Sequence, residues 1–277
     1  MPRFRTKITT FILLSFWFLP MFANTSLADE QVNRLSIGAG PNNYQQLMTS
    51  LVSLLLEKKG FTITTKQIMN QTELQPMLTK GTVDLCFLDI AVDNKETPAP
   101  ATVRLQPFSF PVGPALLMRS QLATANKIKT IQQLAKQMKA NPQQYQIADT
   151  DTLNAKRLAE TYELPIVSRQ PLPPALLYRS LKNNRTDVAL GRADDGRIIA
   201  FRLVALTDDQ QALPDLRTTP VISKSAHAKY PIIATTLARL HEHLDTESMQ
   251  RMHGAVVIAH RKPRTVAEDW LRQNGLL

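Results

Sequence analysis

The fold is decided by residues 35–88, whose sequence is LSIGAGPNNYQQLMTSLVSLLLEKKGFTITTKQIMNQTELQPMLTKGTVDLCFL. A short β-rich run at Leu35–Ile37 leads into a helical stripe with apolar residues at i, i+4, i+7 and i+8. That stripe consists of Leu47, Leu51, Leu54 and Leu55. Two further β-rich runs, Phe61–Thr64 and Val83–Leu88, enclose a second short helical stretch. This alternation predicts an α/β fold with a parallel sheet and right-handed crossovers.

The rest of the chain predicts a second α/β unit and a helical tail. The loop Asp93–Pro107 interrupts the alternation, which restarts between residues 130 and 190. Three late helices with few strands then suggest a segment that packs back on the first unit. The alternation breaks near Phe108–Pro111 and again near Asp208–Pro214, so we expect the chain to cross between two units at these points.

Residues 1–28 have the anatomy of a cleaved secretory signal peptide. Basic residues at Arg3, Arg5 and Lys7 precede the apolar run Ile8–Ala23, and Ser26-Leu27-Ala28 places small residues at the cleavage positions. A membrane anchor is the alternative, but these sixteen residues are fewer than the ~20 that a spanning helix needs. We therefore predict export and a mature N-terminus at Asp29.

The net charge is basic but dispersed. The chain carries a formal charge of +10, and removal of three basic leader residues leaves +7, from 30 basic and 23 acidic residues. Only Arg261–Arg264 forms a small cluster of basic residues. A solvated surface explains this distribution better than a nucleic-acid-binding patch does.

Signs of catalytic or metal chemistry are weak. Cys86 lies inside an apolar run, which favours a buried structural thiol over a nucleophile. His241 and His243 are two residues apart on a predicted helix, where side chains diverge and do not converge on a metal. The sequence contains neither a Gly-x-Ser-x-Gly elbow nor a glycine-rich phosphate loop. We therefore predict a protein without enzymatic activity, metal or cofactor.

The second half of the chain carries a series of family-specific segments. They are Leu177–Asn183, Thr186–Ala189, Ala193–Ile198, Leu203–Asp209, Thr219–Val221, Tyr230–Ile233 and Val266–Leu271. In this order they resemble the substrate-binding component of osmoprotectant ABC transporters, the glycine betaine, choline and carnitine binding family. The family's Ser-Thr-Asp-Gly-Arg-Ile motif is similar to Ala193-Asp194-Asp195-Gly196-Arg197-Ile198 here.

The resemblance implies a type II periplasmic-binding fold, in which two α/β lobes joined by two crossings close on a ligand like a hinge. We expect lobe I to comprise residues 29–107 and 215–277, and lobe II residues 108–214. The expected function is a monomeric periplasmic solute receptor that delivers a small molecule to an inner-membrane ABC permease and binds no nucleic acid. A ligand-sensing or interaction module with the same fold is the alternative.

At the positions of the ligand residues the sequence departs from the family. The family carries Ser-Lys-x-Phe-Thr-Glu after its opening strand and Tyr-Pro-Glu-Tyr-Thr after its Asp-Leu strand. Here these stretches are Ala39–Tyr44 and Cys86–Ile90. The family's aromatic box suits a quaternary ammonium, because ring faces attract a cation that cannot donate hydrogen bonds.

Cleft contacts are expected from the turns that lead from strands into helices. The candidate ligand-binding residues are Asn42, Asn43, Tyr44, Asp89, Asp149, Thr150, Asp151, Arg192 and Asp194. Alternatives remain open: Asn42, Asn43 and Asp151 suit helix caps, and Arg192 has acidic neighbours with which it could pair. Because Asp89 and Asp194 are acidic where the family has Tyr and Thr, we expect a small polar cationic or zwitterionic ligand with N–H donors.

Overall fold

The protein is represented by a computed structural model that describes Met1 and residues 33–69, 71–94, 98–142, 145–149, 152–164 and 172–277. Apart from Met1, the predicted leader lies outside the described residues. Val32–Leu277 form one compact unit. Among the described residues, no helix combines the length and the apolar character needed to cross a membrane.

The strands are short and are distributed over two sheets. They are β1 (Asn33–Ala39), β2 (Phe61–Gln67), β3 (Leu85–Ala91), β4 (Thr102–Arg104), β5 (Pro114–Arg119), β6 (Ile147–Asp149), β7 (Val188–Arg192), β8 (Leu203–Ala205) and β9 (Leu216–Ser223).

Helices connect most of these strands. They are α1 (Asn43–Lys58), α2 (Leu74–Thr79), α3 (Ser120–Ala125), α4 (Ile131–Ala140), α5 (Thr152–Tyr162), α6 (Pro174–Lys182), α7 (Arg197–Ala200), α8 (Lys224–Lys229), α9 (Ile232–His243), α10 (Thr246–Val257) and α11 (Pro263–Gln273). A 3-10 turn at Gln71–Glu73 precedes α2.

The first sheet has the strand order β2-β1-β3-β9-β4. Strand β1 runs parallel to β2 and to β3, with Leu35 opposite Ile63 and Ile37 opposite Leu85. This confirms the predicted parallel arrangement of the first three strands. Strand β9 lies antiparallel between β3 and β4, although it is distant from both in sequence.

The second sheet has the strand order β6-β7-β5-β8. Strands β6 and β7 are parallel, and β5 is antiparallel to both of its neighbours. The chain leaves the first sheet after β4 and returns to it in β9. It therefore crosses between the sheets twice, through residues 105–113 and 206–215.

The largest apolar core covers the first sheet and joins α1 to the C-terminal helices. Phe108, Phe110 and Val112 of the first crossing belong to this core and are buried. Separate clusters fill the second sheet, with α4 and α5 contributing to one and α6 to another. Each sheet is thus stabilised mainly by its own buried apolar residues.

The tail differs from the predicted three helices. Strand β9 enters the middle of the first sheet, and α8, α9, α10 and α11 follow it. Pro220 lies inside β9, opposite Phe87 of β3. Because proline lacks the N–H of a strand ladder and is depleted from central strands, the sequence pattern concealed β9.

Cys86 is confirmed as a buried thiol on β3. Burial raises its pKa from the usual value to about 12. The thiol therefore stays protonated at neutral pH and packs as a small apolar side chain.

Candidate ligand-binding site

The first part of the site comes from the pairing of β3 with β9. Asp89 lies directly opposite Thr218 in this antiparallel ladder, so their side chains share one face of the sheet. The Thr218 hydroxyl donates to Asp89 Oδ1 at 2.8 Å. Thr218 is fully buried, and this bond fixes one oxygen of the carboxylate.

Tyr44 supports this pair from the first turn of α1. Asn42 caps the helix by accepting the Gln45 N–H at 2.8 Å, which sets the direction in which the turn begins. The Tyr44 hydroxyl lies 2.5 Å from Thr218 Oγ1. Because Thr218 gives its proton to the carboxylate, Tyr44 must be the donor in this contact. The resulting series of hydrogen bonds runs from Tyr44 through Thr218 to Asp89.

The opposite side of the site follows β7 of the second sheet. Arg192 ends this strand, and its backbone N–H donates to the Tyr178 hydroxyl at 3.0 Å. Its guanidinium donates to Asp194 through Nε at 3.0 Å and through Nη2 at 3.3 Å. This two-point contact fixes the orientation of the guanidinium plane.

Arg192 also reaches across to the first sheet. Its Nη2 lies 3.5 Å from Asp89 Oδ2, and its Cζ lies 6.0 Å from the centroid of the Tyr44 ring. The guanidinium therefore stands between two carboxylates and beside an aromatic ring. These contacts connect the carboxyl end of β3 to the carboxyl end of β7.

The cluster of Asp89, Asp194 and Arg192 carries two acidic groups and one basic group. Burial raises the pKa of Asp194 to about 6, although Arg192 opposes this shift. Burial alone would lower the pKa of Arg192, but Asp194 and Asp89 raise it above its usual value. Burial, together with Asp194 and Asp89, also raises the pKa of Tyr44, which keeps its phenol protonated. With both carboxylates ionised, the cluster carries a formal net charge of −1.

A cavity of about 480 Å³ borders this cluster. Asp89 and Arg192 line it together with Thr72, Gln75 and Arg104. A second cavity, of about 970 Å³, follows the two crossings and is lined by residues 113–115 and 211–217 among others. Leu216 lines both, so the two spaces adjoin at β9. Both cavities have volumes that suit a small organic solute.

The loop behind Arg192 is held by α10. Gln250 Nε2 donates to the Ala193 carbonyl at 2.6 Å, and the Gly196 N–H donates to His253 Nδ1 at 3.1 Å. A Cβ on Gly196 would lie 2.1 Å from the backbone nitrogen of Gly254. The loop and α10 therefore meet backbone against backbone, and glycine is required at position 196.

The structure brings together four of the residues proposed from sequence, namely Tyr44, Asp89, Arg192 and Asp194. Asn42 is the helix cap of α1, and Asn43 is exposed. Asp149 ends β6, but its side chain lies outside the description, as do Thr150 and Asp151.

Other residues of the site were missed by sequence reasoning. Thr218 was missed because only its pairing across 129 residues brings it to Asp89. Thr72 and Gln75, which line the smaller cavity, have the spacing of a capping box. Helix α2 begins one residue later than that spacing indicates, at Leu74, with Glu73 as its N-cap.

The two sheets, the two crossings and the cleft between the strand ends are those of the type II periplasmic-binding fold. The sequence model of OpuAC, the substrate-binding domain of ABC-type glycine betaine transport systems, matches residues 33–273. The chain belongs to this family.

Relatives and solved structures agree with this assignment. A glycine-betaine-binding protein of Pseudomonas aeruginosa is 26% identical over 279 residues, covering 89% of this chain and 90% of the relative. A carnitine transport binding protein of Listeria monocytogenes is 31% identical over 120 residues, covering 43% of this chain and 39% of the relative. A crystal structure of a glycine betaine/carnitine/choline ABC transporter has a TM-score of 0.79 at 20% identity, covering 88% of this chain and 99% of that one.

Family membership defines the broad function. The protein is a substrate-binding component of an ABC transporter, and the family consists of transport proteins, not enzymes. Its substrate-binding proteins are extracytoplasmic and work with a small-molecule ligand and a membrane permease. The resemblance found in the sequence is thereby confirmed.

Proposed function

We propose that this protein captures a small solute whose cationic group carries N–H donors and delivers it to its ABC permease. The observation that carries this proposal is the second oxygen of Asp89. Asp89 Oδ1 accepts from Thr218 at 2.8 Å, whereas Oδ2 has only the 3.5 Å contact from Arg192 among the described residues. The cluster thus combines a net charge of −1 with a carboxylate oxygen, Asp89 Oδ2, that can accept a shorter and stronger hydrogen bond than the one it now has.

The preference for N–H donors follows from the composition of the site. A quaternary ammonium binds well when several ring faces surround it. Here the Arg192 guanidinium has one ring face beside it, that of Tyr44. Its other described charged neighbours are the carboxylates of Asp89 and Asp194. A primary amine or guanidinium can use these carboxylate oxygens, and glycine betaine cannot. The names of the relatives refer to glycine betaine and carnitine, so this site would differ from theirs.

The proposal includes an export route and a two-lobed architecture. Residues 1–28 would be cleaved as a signal peptide, placing the mature protein in the periplasm with Asp29 at its N-terminus. Residues 29–107 with 215–277 would form lobe I, and residues 108–214 would form lobe II. The separate sheets and the two crossings support two lobes. The boundary at residue 108 is less well matched, because Phe108, Phe110 and Val112 pack in the core of the first sheet. We further propose a monomer without affinity for nucleic acid, in keeping with dispersed basic residues.

Calorimetry on mature protein, residues 29–277, tests the ligand class. Agmatine, putrescine and glycine betaine are titrated separately. We expect agmatine or putrescine to bind with a micromolar dissociation constant, about −8 kcal/mol, and at least ~10-fold more tightly than glycine betaine.

The Asp89→Asn variant should weaken agmatine or putrescine binding by about 10-fold or more, because it removes the charge that the donors face. Glu242→Gln is the control, since Glu242 is an exposed acid on α9 that lies outside the cluster and lines neither of the two cavities described. Micromolar binding of glycine betaine that survives both Asp89→Ala and Asp194→Ala would refute the proposed ligand class.

A further inference from the structure

The contacts of the Arg192 guanidinium are those that the proposed solute would make. The group donates to Asp194 at 3.0 and 3.3 Å, faces Asp89 Oδ2 at 3.5 Å and lies 6.0 Å from the Tyr44 ring centroid. It is itself a cation with N–H donors. Arg192, a basic side chain of the protein itself, therefore occupies the position at which the two carboxylates attract a cation.

The two carboxylates hold this guanidinium unequally. Asp194 is 2% exposed and receives two bonds, so it fixes the guanidinium firmly to the β7 side. The contact with Asp89 is a single one at the outer limit of hydrogen bonding, and 46% of the Arg192 side chain is exposed. The weak contact on the Asp89 side can be broken while the contact with Asp194 persists.

We infer that Arg192 is an internal competitor for the cation position, so that a solute binds by displacing its guanidinium from Asp89. This inference rests on the proposed function and adds the residue with which the solute competes. Displacement exchanges one charged N–H donor for another. A solute with N–H donors replaces the lost contact, and a quaternary ammonium leaves Asp89 Oδ2 without a donor. Asp89, whose second oxygen needs a donor, thereby selects against quaternary ammonium solutes.

Chemical rescue tests this inference without the natural ligand. The Arg192→Ala variant lacks the internal guanidinium, and methylguanidinium added at 20 mM should occupy its place. Binding to the native state alone raises the melting temperature, here by about 3 °C or more, given that each ~1 kcal/mol shifts a domain of this size by ~2–4 °C. Wild-type protein should show a smaller rise, because methylguanidinium must first displace the protein's own guanidinium from Asp89. Tetramethylammonium should not rescue Arg192→Ala.

The matched control is Arg217→Ala. Arg217 also pairs with an acid two residues away, Asp215, but that acid is exposed, and Arg217 pairs with no second carboxylate among the described residues. Methylguanidinium should leave the melting temperature of this variant unchanged. An equal rise in Arg217→Ala, or no rise in Arg192→Ala, would overturn the inference. Equal rescue by tetramethylammonium would overturn the claim of donor selectivity.

A second variant covers the case in which Arg192→Ala does not fold. Removing Arg192 leaves the buried Asp194 without its partner, which is destabilising. The double variant Arg192→Ala with Asp194→Asn removes that charge and keeps Asp89 and Tyr44, so methylguanidinium should still raise its melting temperature. If methylguanidinium raises the melting temperature of the variant but wild-type protein binds neither agmatine nor putrescine, only the proposed function is contradicted. If wild-type protein binds agmatine or putrescine but methylguanidinium does not raise the melting temperature of the variant, only the role of Arg192 is contradicted.

Discussion

The loop that follows β7 and the segment that follows β3 supply opposite sides of the candidate site, and they are supported differently. The loop carrying Arg192 and Asp194 is held by Tyr178 from α6 and by Gln250 and His253 from α10. The segment after Asp89 makes one backbone bond to the second crossing, from Val92 N–H to the Asp215 carbonyl, and Val92 is 64% exposed.

This difference separates a fixed part of the site from an adjustable part. The buried Asp194 and its loop cannot shift without breaking contacts with α10, so they hold the carboxylate in a constant position. Asp89 is fixed through one oxygen by Thr218, its other oxygen has only the 3.5 Å contact with Arg192 among the described residues, and the residue lines the smaller cavity. We therefore expect substitutions in the loop to affect stability first, and substitutions around Asp89 to affect ligand affinity first.

The largest expected effect comes from Gly196→Ala. The new Cβ would lie 2.1 Å from Gly254 N and 2.4 Å from the Gln250 carbonyl oxygen, so backbone would have to move. We expect the free energy of unfolding to fall by at least ~3 kcal/mol, the upper range for overpacking. Urea denaturation followed by circular dichroism measures it.

Gly254→Ala is the matched control on the other side of the same contact. A Cβ there would meet its nearest neighbour, the Gly196 carbonyl oxygen, at 3.4 Å, which is within ordinary contact. Because Gly254 lies within α10, alanine should be neutral or stabilising by up to ~1 kcal/mol. A similar loss of unfolding free energy in Gly196→Ala and Gly254→Ala would show that the loop does not pack with its backbone against α10.

The fold was more predictable from sequence than the site. Strands β1 to β3 and helix α1 follow local apolar periodicity, which a sequence displays directly. The acids at the strand ends were found because their positions follow from that alternation. The partner Thr218 and the contact between Gly196 and Gly254 depend on chain segments that meet only in the folded protein. Side-chain periodicity carries no information about such long-range pairs, and Pro220 concealed the strand that bears Thr218.

A smaller effect is expected from the titration of Asp194 in the fixed loop. Burial raises its pKa to about 6 in the folded protein, whereas an unfolded Asp titrates near ~3.9. Between these values the folded state binds more protons than the unfolded state, so the contribution of Asp194 to stability rises as the pH falls. His253 shifts the other way, because burial lowers its pKa and folding then favours higher pH.

Comparison of wild type with Asp194→Asn isolates this contribution, since His253 is present in both. From pH 7 to pH 4 we expect the unfolding free energy of wild type to gain about 2 kcal/mol relative to the variant, at ~1.4 kcal/mol per unit of pKa difference. Urea denaturation at several pH values provides the measurement. A constant difference, or one that shrinks toward low pH, would contradict the buried, ionised state of Asp194 at neutral pH.

The smallest effect concerns Asn42, which lies on the adjustable side and has both a structural and a ligand-binding interpretation. Its side chain accepts the Gln45 N–H at 2.8 Å as the cap of α1. Asn42→Ala should therefore lower the free energy of unfolding by about 1 kcal/mol and change agmatine affinity by less than ~2-fold, an effect below ~0.4 kcal/mol. Asn42→Ser should restore the stability, because serine also caps helices, whereas a ligand contact through an amide would not be restored. Denaturation and calorimetry on the same three proteins separate the two roles. A loss of affinity in both variants with stability intact would assign Asn42 to the ligand.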